Sequence, residues 1–142
     1  MNKLNELYKA IDDSDDISLF YYPIGGVPAA TIEYKNKYGI FLDLLQIHTT
    51  REEKEILAHE MGHVETGATH RVDSPYDLIA KHEDLAMRRS VYWLVPIDEL
   101  QTAICSGLTE VWELAEYFDV SESFMRKAIC VYRLEGHIKD IC

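Results

Sequence analysis

Residues 57–67 read LAHEMGHVETG, and within them His59-Glu60-Met61-Gly62-His63 is an HExxH pattern. On an α-helix, residues four apart lie one turn along and point to the same side. His59 and His63 can therefore offer imidazole nitrogens to one metal ion. Glu60 lies on the same turn, close enough to act as a base on a water beside that ion. Two fixed ligands, an adjacent base and an open position are what a metal-activated hydrolase requires. The flanking Leu57, Ala58, Met61 and Val64 are apolar, so the helix is expected to be buried around the motif. Polar side chains in such a setting need partners, because leaving them unpaired away from water is costly.

The rest of the composition narrows the class. At 142 residues with 47% hydrophobic side chains, the chain has material for one domain with a real core. A net charge of −11 argues against phosphate backbones and anionic membrane surfaces as partners. Cys105, Cys130 and Cys142 form no CxxC pair and read as reduced thiols of an intracellular protein. The opening residues carry no apolar signal segment, and no run approaches the roughly 20 apolar residues of a membrane span. A cytoplasmic protein is expected.

Outward from the motif, the chain reads as α+β. Leu4, Leu7, Tyr8 and Ile11 lie at helical spacing, and an acidic turn, Asp12 to Asp16, follows. Residues 17–22, 29–34 and 38–47 read as strands, with Lys35-Asn36-Lys37 as a turn between the last two. They predict a small antiparallel sheet of about three strands, packed on the HExxH helix. That helix is expected to open at Thr50 with Glu53 in a capping box, or at Thr49 with Glu52, and to stop near Gly67. A polar loop through Asp73 follows, and Ser74-Pro75 signals a second helix running to about Val95. Residues 96–106, 109–118 and 121–135 read as three further helices. The division expected is a metal-binding core over 1–96 with a helical extension over 97–142 packed on the same body.

A catalytic zinc site usually has three protein ligands. Downstream candidates are His70, Asp73, Asp77, His82, Glu83 and Asp84. Gly67 and His70 fall one residue late for the HExxHxxGxxH spacing. Nineteen residues separate Glu83 from His63, the spacing of the HExxH-plus-glutamate class of zinc hydrolases. Helical phase points the same way, since Ile79, Glu83, Ala86, Met87 and Ser90 share a small, apolar face. Asp84 and Arg88 read as a surface i, i+4 pair.

With both helices in place, the chain resembles the ImmA/IrrE family of metallo-endopeptidases, and in particular its short prophage-type members. The stretches that carry the resemblance are AHEMGHVETGATHRVDSPYDLIAKHE (58–83), WLVP (93–96) and TEVWELAEYFDVSESFMRKAI (109–129). It implies a zincin-like fold in which His59, His63 and Glu83 bind zinc and Glu60 is the base. It also implies a role, since such proteins relieve repression by cleaving, or helping to cleave, the repressor of a prophage or mobile element. The sequence departs from the family pattern after the ligand glutamate. Met87 stands where an Asn or Asp is usual, and a thioether cannot orient a ligand as a carboxamide does. Arg89 replaces an expected aromatic residue.

Two further expectations concern the surroundings. Tyr76 or His70, in the loop between the metal helices, is the candidate donor for a developing oxyanion. Residues 114–129 have the rhythm of a helix-turn-helix, but residues 98–142 carry nine acidic side chains against four basic ones. A DNA reader should be locally basic, so these helices are expected to complete the core or to recognise a protein. The competing reading of the whole is a repressor-binding protein that cleaves nothing and holds a structural or degenerate metal site.

Overall fold

The computed structural model describes residues 2–67, 69 and 76–138, with 76 and 77 described by backbone alone. The chain is α+β, with six α-helices and one three-stranded sheet among the described residues. Helix α1 spans Lys3–Asp12, and the strands are β1 (Ile17–Tyr21), β2 (Ala29–Tyr34) and β3 (Lys37–Leu42). Helices α2 (Thr50–Thr66) and α3 (Tyr76–Leu94) follow, then α4 (Ile97–Cys105), α5 (Val111–Phe118) and α6 (Glu122–Leu134). The region 68–75, where the polar loop and the Ser74-Pro75 start signal were expected, lies largely outside the described residues.

The sheet is mixed rather than antiparallel. Its order is β1-β3-β2, with β1 parallel and β2 antiparallel to β3. Lys35 and Asn36 both take positive φ, 50° and 64°, as a two-residue hairpin turn of β2 into β3 requires. No hairpin joins β1 to β2. The connection at residues 22–28 instead crosses the end of β3, where Tyr22 N–H donates to Leu42 O (3.0 Å) and Asp43 N–H to Pro28 O (2.8 Å). The physical reason lies in β3, whose Ile40 and Leu42 are fully buried. The most apolar strand takes the centre, paired on both sides. Strand β3 is also shorter than expected: it ends at Leu42, and a 3₁₀ turn covers Leu44–Gln46.

Helix α2 opens in the second of the two expected frames. Thr49 is the N-cap, its hydroxyl accepting from Glu52 N–H (3.1 Å), while Glu52 reaches back to His48 N–H (3.0 Å). It closes at Gly67 in the left-handed region, φ 66°. One hydrophobic cluster joins Leu7 of α1, Leu42 of β3, Leu57 of α2, Val91 of α3 and Met125 of α6. The helices after Pro96 thus share their core with the sheet and the HExxH helix.

The turn between α5 and α6 is docked on α2. Arg51 Nε donates to Asp119 Oδ1 (2.7 Å), and the buried Lys54 ammonium donates to Asp119 Oδ2 (3.3 Å) and Phe118 O (3.5 Å). One turn on, Glu55 Oε1 accepts from the backbone N–H (3.0 Å) and hydroxyl (2.6 Å) of Ser121. Ser121 also caps α6, accepting from Phe124 N–H (3.1 Å).

Cys105 is disulfide-bonded, and Cys130 is a free thiol. The expectation of reduced thiols throughout fails at Cys105, because an odd count without a CxxC spacing carries no information about pairing across the fold. No helix among the described residues is long and apolar enough to cross a membrane.

Candidate metal centre

The centre is built where the backbones of α2 and α3 come into close contact. A Cβ added to Gly62 would lie 2.4 Å from the carbonyl oxygen of Ala86. Glycine inside a helix costs about 1 kcal/mol relative to alanine, and here it lets the two backbones touch. On one side of this contact His59 meets Glu83; on the other, Arg89 pairs with Glu65. Arg89, where the resemblance leads one to expect an aromatic residue, thus ties α3 to α2 through an ion pair.

Glu83 accepts contacts from both histidines. His59 Nε2 lies 2.7 Å from Oε2 and His63 Nε2 lies 3.2 Å from Oε1. The two rings are nearly perpendicular, with centroids 5.0 Å apart. One donor atom from each of His59, His63 and Glu83 falls within 4.8 Å of the others. Ligands sharing a tetrahedral zinc at ordinary bond lengths sit roughly 3.3 Å apart. The spacing and the donor set, two imidazole nitrogens and one carboxylate, therefore suit a divalent metal of this kind. His63 is buried and His59 and Glu83 are more open, so the trio is anchored on one side and accessible on the other.

Glu60 is buried, and its carboxylate has a partner that the sequence did not suggest. Thr31 of β2 donates its hydroxyl to Glu60 Oε2 (2.6 Å), with Glu60 O 3.3 Å away. The bond joins the sheet to the HExxH helix. The only signal for it in the sequence is the alternation of β2, and that alternation misleads. Ile32 and Tyr34 are its most apolar residues, yet they face outward, 52% and 70% exposed, while Thr31 pairs with the buried Ile40.

The two carboxyls are shifted in opposite directions. Hydrogen bonds from His59 and His63 hold Glu83 well below the usual carboxylate range. Burial pushes Glu60 up, against the opposing bond from Thr31. Glu83 thus remains an anion fit for a ligand, while Glu60 accepts a proton more readily. Carboxyls divided this way suit a ligand or stabiliser on one hand and an acid–base on the other.

The other candidates fall as follows. Met87 is half-buried and lines a cavity beside His59, so it is next to the trio but offers it no strong hydrogen bond. Asp84 pairs with Arg88 (2.9 Å) on the exposed side of α3. His70, Asp73 and the side chains of Tyr76 and Asp77 lie outside the described residues, so the oxyanion donor expected there has no structural account.

The chain matches no protein-family model, no curated protein and no solved structure.

Proposed function

We propose that this chain is a zinc-dependent endopeptidase of zincin-like fold, related to the ImmA/IrrE family that its sequence resembles. The observation that carries the reading is the convergence of His59, His63 and Glu83 with a separate buried carboxylate, Glu60, beside them. A zinc ion held by the trio would supply Lewis acidity for amide hydrolysis. Glu60 takes the proton of the attacking water and passes it to the leaving amine. Thr31 fixes the carboxylate of Glu60 in place for both transfers. Strand β2 bears Thr31 and has no strand partner on its outer side among the described residues. An extended substrate peptide can add to that edge by backbone hydrogen bonds, which places it beside Glu60.

The substrate we propose is the repressor of a prophage or mobile element, cleaved in the cytoplasm. This part rests on the resemblance. Incubating the zinc-loaded protein with the repressor encoded beside it tests the reading directly. Wild type is expected to cleave, and Glu60→Gln, which keeps the shape and removes the base, is expected to bind zinc and leave the repressor whole. Cleavage by both proteins would reject Glu60 as base. Equal binding of the repressor with no cleavage by either would identify a repressor-binding protein instead.

A further inference from the structure

The three-stranded sheet has two faces, and one of them stands outside the core. Leu19, Ile40 and Leu42 on the inner face join the hydrophobic cluster, whereas Phe20, Ile32, Tyr34 and Phe41 on the outer face are no part of it. Phe20, Ile32 and Tyr34 are exposed. Alternation along each strand and the register between strands gather these side chains, with Phe20 opposite Phe41 and Ile32 opposite Gly39. The Phe20 and Phe41 rings stack, their centroids 5.0 Å apart. A Cβ added to Gly39 would lie 3.3 Å from the Phe41 ring and 3.5 Å from the Phe20 ring. With no side chain at Gly39, the face holds a shallow depression of about 430 Å³. Lys35 and Lys37 also line it, and among the described residues no carboxylate does. Lys35 Nζ stands 5.2 Å from the centre of the Tyr34 ring. Among the described residues no salt bridge reaches either lysine. Exposed apolar surface gathered in one patch marks an interaction site. In a chain of net charge −11, two cations without an ion pair beside that patch match an acidic partner.

We propose that this face docks the folded body of the protein substrate, through a substrate surface of large apolar side chains fringed by carboxylates. The proposal rests on the peptidase reading and deepens it. Ile32 and Tyr34 lie on β2, the strand whose open edge takes the cleaved segment, so edge and face form one continuous surface. A strand added to β2 turns alternate side chains to the two sides of the sheet. Those on the inner side lie towards Thr31 and Glu60, and those on the outer side lie beside Ile32 and Tyr34. The parts of the substrate that flank this strand then rest over Phe20 and Phe41. Selection is divided accordingly: the edge accepts an extended segment through its backbone, and the face admits the protein that carries a matching surface.

The test follows cleavage of the neighbouring repressor, whole and as a short peptide holding only the cleaved segment, by the zinc-loaded full chain and three variants. Phe20→Thr removes the ring and keeps a β-branched residue at an exposed strand position. Lys37→Glu reverses the charge, and Lys37→Arg keeps it. Phe20→Thr is expected to raise KM for the whole repressor about 10-fold, the effect of withdrawing one large apolar contact. Lys37→Glu should raise it about threefold or more, and Lys37→Arg should match wild type. In each case kcat should hold, as for a contact made equally in ground and transition states. The peptide should be cleaved alike by all four proteins. Zinc content and circular dichroism are measured in every sample, and the Lys37 pair decides the matter if Phe20→Thr misfolds. An unchanged KM for the whole repressor in Lys37→Glu and in folded Phe20→Thr would overturn the docking face and leave the peptidase reading standing. So would equal losses on peptide and repressor, which would place the effect at the edge strand. A wild-type dimer that Phe20→Thr turns into a monomer, seen by light scattering, would assign the face to a second copy and overturn the proposal. Failure of the zinc-loaded wild type to cleave either substrate would overturn the peptidase reading, and this use of the face with it.

Discussion

At the scale of single residues, the proposed centre depends on three side chains that would hold the metal and one that would act as base. His59→Ala and His63→Ala are each expected to abolish stoichiometric zinc while circular dichroism retains most of the helix signal. Glu83→Gln should weaken zinc more than Asp84→Asn does, because Asp84 faces Arg88 and not the histidines. A chelator competition ranks them, and a full zinc equivalent in either histidine variant would reject the ligand set. Thr31 adds a second prediction. Thr31→Val keeps the shape of the strand residue and deletes the hydroxyl bonded to Glu60. A hydrogen bond to a charged group is worth about 1.5–3 kcal/mol, so peptidase turnover is expected to fall roughly 10-fold, with zinc affinity retained. Loss of zinc affinity with turnover unchanged would show that Thr31 supports the ligands and not the base. The convergence of His59, His63 and Glu83 was legible in the sequence because motif spacing and helical phase are local properties. Thr31 was not, since its bond to Glu60 spans 29 residues between a strand and a helix.

At the scale of elements, Gly62 decides whether α2 and α3 can meet. The Cβ of an alanine there would collide with the Ala86 carbonyl, which is backbone and cannot swing aside. Gly62→Ala raises helix propensity, so any local gain is set against forced separation of α2 from α3. Overpacking of this kind costs about 1–3 kcal/mol. The variant is expected to melt earlier and to bind zinc more weakly, since moving α3 carries Glu83 away from His59. A thermal melt and a chelator titration of the same samples check both; a rise in melting temperature with zinc affinity intact would refute the close approach. The helices themselves were readable from periodicity, caps and Pro96. The strand order was not. Alternation identifies strands one at a time, whereas the centre of the sheet goes to the strand that buries most apolar surface. Here that strand is the third, and it separates the first from the second.

For the molecule as a whole, the helices that follow Pro96 are fastened to α2 by charge as well as by the shared core. Asp119 is the meeting point. It takes the left-handed conformation, φ 54°, to close α5, and it receives both Arg51 and Lys54. The hydrogen bond from Arg51, aided by the charge of Lys54, holds the Asp119 carboxyl below its ordinary range. Because the folded value is lowered, the stabilisation is fully present above the unfolded aspartate value of about 3.9. It is lost as pH falls through that value towards the lower folded one. Asp119→Asn removes the charge and keeps a residue that tolerates the left-handed conformation. At neutral pH the variant is expected to melt below wild type by a few degrees, on the order of 2–4 °C, a modest shift because the carboxyl is largely exposed. The gap should begin to narrow as the pH falls below about 3.9 and should close only as the pH passes the lower folded value, where the wild-type carboxyl also becomes neutral. A gap that stays constant across that range would place the loss in the shape of the turn and not in its charge.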